Sequence, residues 1–97
     1  MIKLTRVQTR PSTNVPFFSP REDKATYTIT NFINTNKLTI NNSVSEDGLV
    51  RTGIWTWVDQ SSLDEYNSNE LVQLVKQDET TYMQANGISL VEYIENI

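Results

Sequence analysis

The sequence predicts an α+β fold in which four strands form one antiparallel sheet and two helices lie on one of its faces. Four segments alternate apolar and polar side chains as strands do, and two segments between them carry helix-start signals. An Asp-Gly turn joins the second and third strands, which makes that pair antiparallel. With 97 residues the chain has room for one core, so we predict a single domain over residues 1–97.

The first strand is predicted over Ile2 to Thr9, where apolar and polar residues alternate. Pro11 and Pro16 then interrupt regular structure, because proline lacks the N–H that a sheet or a helix needs. In the irregular segment after the strand, we expect Phe17 and Phe18 to close the edge of the core.

The first helix is predicted over Pro20 to Asn36. Its start is indicated by Ser19-Pro20-Arg21-Glu22, a capping box with proline at the first helical position. Apolar residues follow at helical spacing: Ala25, Ile29, Phe32 and Ile33. The segment TYTIT also alternates as a strand does, so a strand is the alternative, but the cap and the length of the segment favour a helix.

The middle of the chain predicts a hairpin. Leu38 to Ser45 alternates with a polar outer face, which is typical of a strand with one solvated side. Glu46-Asp47-Gly48 then supplies a tight turn, because Asp-Gly readily adopts positive φ angles. Leu49 to Val58 completes the hairpin as the strongest strand pattern in the chain.

Large apolar side chains occur on both faces of this third strand. Trp55 and Trp57 share one face, and Ile54 and Val58 share the other. One covering layer can come from the chain's own helices, and the second would come from another copy or another protein. Gly53 lies on the tryptophan face, where it either leaves room for a neighbouring ring or marks a β-bulge.

A second helix is predicted to begin near Ser62, because Ser62-Leu63-Asp64-Glu65 forms another capping box. We expect it to break around Asn67-Ser68-Asn69. It then restarts with an apolar stripe: Leu71, Leu74, Val75, Tyr82 and Met83. Asn86-Gly87 stops the helix, and Ile88 to Ile94 forms the last strand.

The predicted order β-α-β-β-α-β is that of the ferredoxin-like fold, which has a four-stranded antiparallel sheet with both helices on one face. Because the other face has no helices, we predict that the chain self-associates through a sheet face that bears the tryptophans. The candidate residues for this interface, or for a ligand-binding face, are Gly53, Trp55, Trp57, Val91 and Tyr93.

The composition argues against several functional classes. A formal charge of −4 and a pI of about 4.6 disfavour nucleic-acid binding, since phosphates require a concentrated basic surface. Basic residues cluster only at Lys3, Arg6 and Arg10, which we interpret as a charged strand edge. Asp78 and Glu79 are assigned to the polar surface of a helix. With no cysteine and no histidine, disulfides and the commonest general base are absent, and we predict no catalytic residue, metal or cofactor.

The sequence also carries no membrane signal. No apolar run approaches the roughly 20 residues needed to cross a bilayer. The first residues, MIKLTRVQTR, lack the apolar core of a signal peptide. We therefore expect no membrane partner and a cytoplasmic location.

The segment SEDGLVRTGIWTWVDQSSLDEY, from Ser45 to Tyr66, resembles the dimeric α/β-barrel superfamily, which includes the antibiotic-biosynthesis-monooxygenase-like proteins. That resemblance implies a dimer whose sheet faces enclose a pocket between subunits. Heme ligation by the usual axial histidine is impossible here, because the chain has no histidine. The same segment is similar to small proteins of tailed phages of marine cyanobacteria, which implies a viral origin, a host-cytoplasmic location and a place in the virion.

Three functional hypotheses follow. The leading one is a non-enzymatic, self-associating interaction module that serves as a structural or accessory protein of a phage virion, whose partners are a second copy or other virion proteins. The alternative is a small dimeric α/β-barrel enzyme or carrier that binds a flat hydrophobic molecule, with the tryptophans and Tyr82 or Tyr93 in its pocket. The third is an acidic inhibitor that presents carboxylates to a host protein.

Overall fold

In the computed structural model, which describes all residues from Met1 to Ile97, four strands and three helices follow one another along the chain. The strands are β1 (Ile2–Thr9), β2 (Leu38–Val44), β3 (Val50–Trp57) and β4 (Ser89–Asn96). The helices are α1 (Glu22–Thr28, continued by a π-helical turn over Ile29–Ile33), α2 (Gln60–Ser68) and α3 (Glu70–Asn86). None of them combines the length and the apolar composition that crossing a bilayer requires. The predicted α+β class and antiparallel sheet are confirmed, and the arrangement is compatible with a ferredoxin-like fold.

The sheet has the order β2-β3-β1-β4, so β1 is a central strand. It pairs without interruption with β3, from Ile2 opposite Trp57 to Thr9 opposite Val50, and with β4 over its whole length. Directly opposed residues share a face of the sheet. The continuous register therefore sorts all strand residues into two sets.

Helices pack against only one of the two faces. This side, the covered face, includes the side chains of Leu4, Arg6, Ile40, Gly53, Trp55, Trp57, Glu92 and Ile94. The other side, the open face, includes those of Lys3, Thr5, Val7, Asn41, Thr52, Ile54, Thr56, Val91 and Tyr93. The covered face is identified by Trp57, which packs against Phe32 after α1 and Tyr66 of α2.

An aromatic cluster forms the centre of the core. Trp57 and Phe32 are fully buried, and their rings meet edge to face with centroids 5.4 Å apart. Tyr66 joins them, at 5.0 Å from the Trp57 ring and 5.6 Å from the Phe32 ring. These separations are typical of favourable aromatic pairs. The three rings therefore connect β3 to the π-helical turn that follows α1 and to α2.

Both predicted helix starts are wrong by two residues. Arg21 has an extended backbone and no side-chain cap, so α1 begins at Glu22 and Ser19 lies outside the helix. The predicted cap of the second helix, Ser62, lies inside α2. Asp59 is the cap instead, because its carboxylate accepts a hydrogen bond from the backbone N–H of Ser62 at 2.8 Å.

The predicted break and stop of the helical region are confirmed. Asn69 ends α2 and caps α3, since its side-chain oxygen accepts hydrogen bonds from the N–H groups of Leu71 and Val72. Gly87 ends α3 with φ of 68° in the left-handed region. The hairpin turn also forms as predicted, with φ of 75° at Gly48. The carboxylate of Asp47 accepts a hydrogen bond from the N–H of Leu49.

The apolar stripe of α3 differs from the predicted one. Leu74 is 52% exposed, whereas Val72, Val75 and Met83 are buried. These three residues form a row with Glu79 at spacings of three and four. The core-facing row therefore includes a carboxylate, and Glu79 does not lie on the polar helix surface as predicted, because it pairs with Arg6 of the sheet.

Candidate ligand-binding cavity

A cavity of about 560 Å³ lies between the covered face of the sheet and the helices. The sheet contributes Leu4, Gly53 and Trp55 to its lining, and the helices contribute Lys24 and Tyr66. Half of the 26 lining residues are hydrophobic. Volumes of 300–1,000 Å³ with mostly apolar linings and a few polar groups are typical of small-molecule sites.

Lys24 of α1 is the most unusual residue of the lining. Only 8% of it is exposed, and its ammonium makes neither a salt bridge nor a hydrogen bond to the protein. The nitrogen lies 5.2 Å from the ring centre of Trp55 and 5.0 Å from that of Tyr66, which are cation–π distances. Burial lowers the pKa of Lys24 to about 8.

Arg6 forms ion pairs with both carboxylates that line the cavity. Its guanidinium binds Glu79 through two nitrogens, and its Nε donates to an oxygen of Glu92 at 3.2 Å. Burial alone would lower the pKa of Arg6, but the hydrogen bonds and charges of Glu79 and Glu92 outweigh it, so the pKa is raised. No other acidic residue lines the cavity.

Two further cations of the lining have no acidic partner. Arg51 donates to the side-chain oxygen of Gln8 at 3.2 Å, and Lys76 donates to that of Asn67 at 2.6 Å. Burial lowers the pKa of both Arg51 and Lys76. The lining thus carries four cations and two carboxylates, a net charge of +2, in a chain whose total is −4.

The unpaired ammonium predicts that stability increases with pH. The pKa of Lys24 is about 8 in the folded protein against an ordinary value of 10.5, so between these values the unfolded chain binds more protons. Folding is therefore favoured as the pH rises through this range. The free energies of unfolding of the wild type and of Lys24→Met are measured by urea denaturation at pH 7.5 and at pH 10. Between these two pH values, we expect the wild type to gain about 1–3 kcal/mol relative to the variant.

Comparison with Lys24→Met separates the titration of Lys24 from that of the groups around it. The charged and titratable groups that face it are Arg6, Tyr66, Lys76 and Glu79, and all four are present in both proteins. A stability difference that stays constant from pH 7.5 to pH 10 would show that the pKa of Lys24 is not lowered.

The five predicted site residues do not form one surface. Trp55, Trp57 and Gly53 lie on the covered face, and Val91 and Tyr93 lie on the open face. The expectation that the tryptophans lie on a face free for self-association is therefore wrong. It is wrong because Phe32 and Tyr66 pack over Trp57 and bury this residue.

Gly53 leaves room for neighbouring side chains and does not mark a bulge. The pairing of β3 with β1 is continuous through Gly53. A Cβ atom there would lie 2.9 Å from the side-chain oxygen of Asn42 and 3.5 Å from Nε1 of Trp55. Glycine thus lets the Asn42 amide and the indole edge approach the strand within the cavity wall.

The N-terminal basic residues do not form a strand edge. Because β1 is central, Arg6 lies beneath α3 in the ion pair described above. Arg10 donates hydrogen bonds to the carbonyl oxygens of Gly48 and Val15 and stacks on Phe17 at 4.4 Å. Two of the three residues thus hold the fold together.

The predicted pocket tyrosines also lie elsewhere. Tyr82 donates to the carbonyl oxygen of Pro16 at 2.6 Å and packs against Phe18, which itself lines the cavity. Tyr93 is on the open face. Neither tyrosine lines the cavity, whereas Tyr66 does, and burial raises the pKa of Tyr66 above its ordinary value.

Sequence reasoning missed Lys24 as a site residue. Lys24, Thr28 and Phe32 recur at intervals of four and are all buried, so they form the inward row of the first helical segment. A lysine in the same helical row as a core phenylalanine was the signal that could have identified it. No group of acidic side chains is placed to hold a metal ion.

The open face is a second candidate surface. Val91 is 60% exposed and Tyr93 is 51% exposed. Val7 stands opposite Val91, and Thr5 stands between Ile54 and Tyr93 in the register. These side chains make an apolar band across β3, β1 and β4, bordered by threonines.

Among known proteins, no family model matches this chain and no curated protein is significantly similar to it. Function is therefore inferred from the cavity and from the open face.

Proposed function

We propose that this chain is a non-enzymatic interaction module that forms a homodimer by packing the open faces of two sheets together. The observation that carries this proposal is the exposure of Val91 and Tyr93 on a sheet face that no helix covers. Large apolar side chains grouped on one exposed face are typical of an interaction site.

The dimensions of the face support a second copy as its occupant. Four strands of seven or eight residues span roughly 19 Å by 26 Å, from strand spacing and rise. Two such faces together bury on the order of 1,000 Å², which is the minimum area for a specific interface. The face carries few charges that would repel an identical partner, because threonine hydroxyls form most of its border.

The same proposal includes a more specific fold type and a more specific biological role. The element order, with α2 and α3 in the place of one helix, supports a ferredoxin-like fold of the dimeric α/β-barrel type. A role as a structural or accessory protein of a phage virion rests on the resemblance of the Ser45–Tyr66 segment to phage proteins.

We expect the double variant Val91→Ser/Tyr93→Ser to be a monomer. Two apolar side chains leave the centre of the interface, and each contributes about 1–3 kcal/mol when it is buried. Light scattering at about 50 μM should then give a mass near 11.2 kDa, against twice this value for the wild type.

Ile94→Ser is the matched control. Ile94 is 62% exposed and follows Tyr93, but its side chain lies on the covered face. This variant should remain a dimer. A wild-type protein that is monomeric at about 50 μM would contradict the proposal.

A second candidate function is supported by the cavity. We propose that it binds a flat hydrophobic molecule, which would make the chain a small carrier or enzyme of the dimeric α/β-barrel type. The Trp55 and Tyr66 rings, whose centres are 5.9 Å apart, and the hydrophobic half of the lining support this proposal.

The chain has only two tryptophans, so its two indole N–H signals report on ligand binding by NMR. Naphthalene-2-carboxamide should shift the Trp55 signal saturably. An unchanged signal with this compound and with naphthalene-2-carboxylate, each up to its solubility limit, would exclude this candidate.

A further inference from the structure

We propose that the ligand of this cavity is a planar organic anion whose carboxylate binds the ammonium of Lys24. This inference rests on the second candidate function, the binding of a flat molecule in the cavity. It adds the chemical class of the ligand and the residue that selects it.

The ammonium of Lys24 lacks an anionic partner. The Lys24 residue is 92% buried, and the ring centres of Trp55 and Tyr66 lie 5.2 and 5.0 Å from its nitrogen. Glu79 also acts on the ammonium through its charge, but its carboxylate is bound to Arg6. Cation–π contacts compensate only part of the desolvation of an ammonium, and none of its three N–H donors has an acceptor within the protein. A carboxylate that enters the cavity would supply both the charge and the acceptors.

The protein itself has no free carboxylate at this site. Glu79 and Glu92, the two acids of the lining, are both bound to Arg6. Arg51 and Lys76 add two more positive charges without acidic partners. The surplus of +2 is compatible with one carboxylate or a dicarboxylate, and it disfavours a cationic ligand.

The walls next to Lys24 favour a planar ligand. Trp55 and Tyr66 flank the ammonium, and the apolar residues Leu4, Ile40 and Ile94 extend the lining along the sheet. A ring system would contact these side chains while its carboxylate reaches Lys24. A volume of about 560 Å³ accommodates a molecule of two or three fused rings.

The test compares two probes of nearly equal shape, naphthalene-2-carboxylate and the neutral naphthalene-2-carboxamide. Each is titrated into the wild type, Lys24→Met and Lys37→Met at pH 7, with the two indole N–H signals as the readout. Lys37→Met is the matched control, because the Lys37 side chain is 41% exposed and outside the cavity lining, and its loss changes the net charge equally. Lys24→Met should fold at least as well as the wild type, since it removes an unpaired buried charge.

In the wild type and in Lys37→Met, we expect the carboxylate to bind at least tenfold more tightly than the carboxamide. In Lys24→Met this preference should disappear while the carboxamide still binds. Equal affinities in the wild type would overturn the anion inference and leave the cavity as a ligand site. A preference that persists in Lys24→Met would overturn the role of Lys24. Failure of both probes to bind would overturn the ligand-site proposal itself.

Discussion

Trp57→Ala should lower the free energy of unfolding by about 3–5 kcal/mol, as large-to-small substitutions of aromatic core residues do. The Trp57 side chain is fully buried and contacts the rings of Phe32 and Tyr66. Its removal would delete the contacts that β3 makes with the π-helical turn after α1 and with α2. It would also leave a void that these rings cannot fill. Because small domains are stable by only about 5–15 kcal/mol, the loss would be a large share of the total. Urea denaturation followed by circular dichroism measures it.

Two further variants make this prediction specific. Trp55→Ala changes the same residue type on the same face, but Trp55 is only partly buried and borders the cavity, so its loss should be smaller. Trp57→Phe keeps an aromatic ring and removes an indole N–H that has no hydrogen-bond acceptor. We expect it to cost less than half of the alanine value, since an unsatisfied buried donor is itself unfavourable. Equal losses for Trp57→Ala and Trp55→Ala would contradict the assignment of Trp57 as the centre of the core.

Glu79→Gln should lower the free energy of unfolding by about 2–3 kcal/mol, because it removes one of the two charges that neutralise Arg6 beneath α3. The side chains of Arg6 and Glu79 are only 18% and 15% exposed. Glu92 remains, but it contacts the guanidinium through Nε alone. Chemical denaturation at low and high salt measures the change, and little of it should be screened by salt, since the pair is largely buried.

Glu65→Gln is the matched control for an exposed ion pair. Glu65 and Lys37 lie 3.5 Å apart with side chains that are 57% and 41% exposed, and such pairs contribute little. We expect this variant to change stability by less than about 0.5 kcal/mol. The double variant Arg6→Met/Glu79→Leu should recover most of the loss of Glu79→Gln, because it replaces a buried ion pair with apolar groups. No recovery would mean that the pair acts through its hydrogen-bond geometry.

Local signals predicted most of the secondary structure. β1 has the predicted bounds, and the turn at Gly48, the break at Asn69 and the stop at Gly87 all occur as predicted. Each depends on interactions within a few residues, such as a side-chain oxygen that binds a nearby N–H or a glycine that adopts positive φ. Helix starts were less predictable, because Asp59 lies three residues before Ser62 and makes the cap.

The candidate site depended on contacts between distant segments. Lys24 and Trp55 are 31 positions apart in sequence, and Arg6 and Glu79 are 73 apart. The sequence assigned Glu79 to the polar helix surface and gave no prediction for Lys24, since charged residues are rarely buried. Only the positions of the helices over the sheet show that both face the cavity.

The sequence by itself determined which residues form strands, which of them share a face, and where the turns and the helix break occur. It determined these features because alternation and capping are short-range properties of the backbone. Only the tertiary structure decided which face the helices cover, and with it that Trp57 is core and that Val91 and Tyr93 are exposed. The physical reason is that alternation divides a strand into two equivalent sets of side chains, and only packing against other elements makes one set the interior.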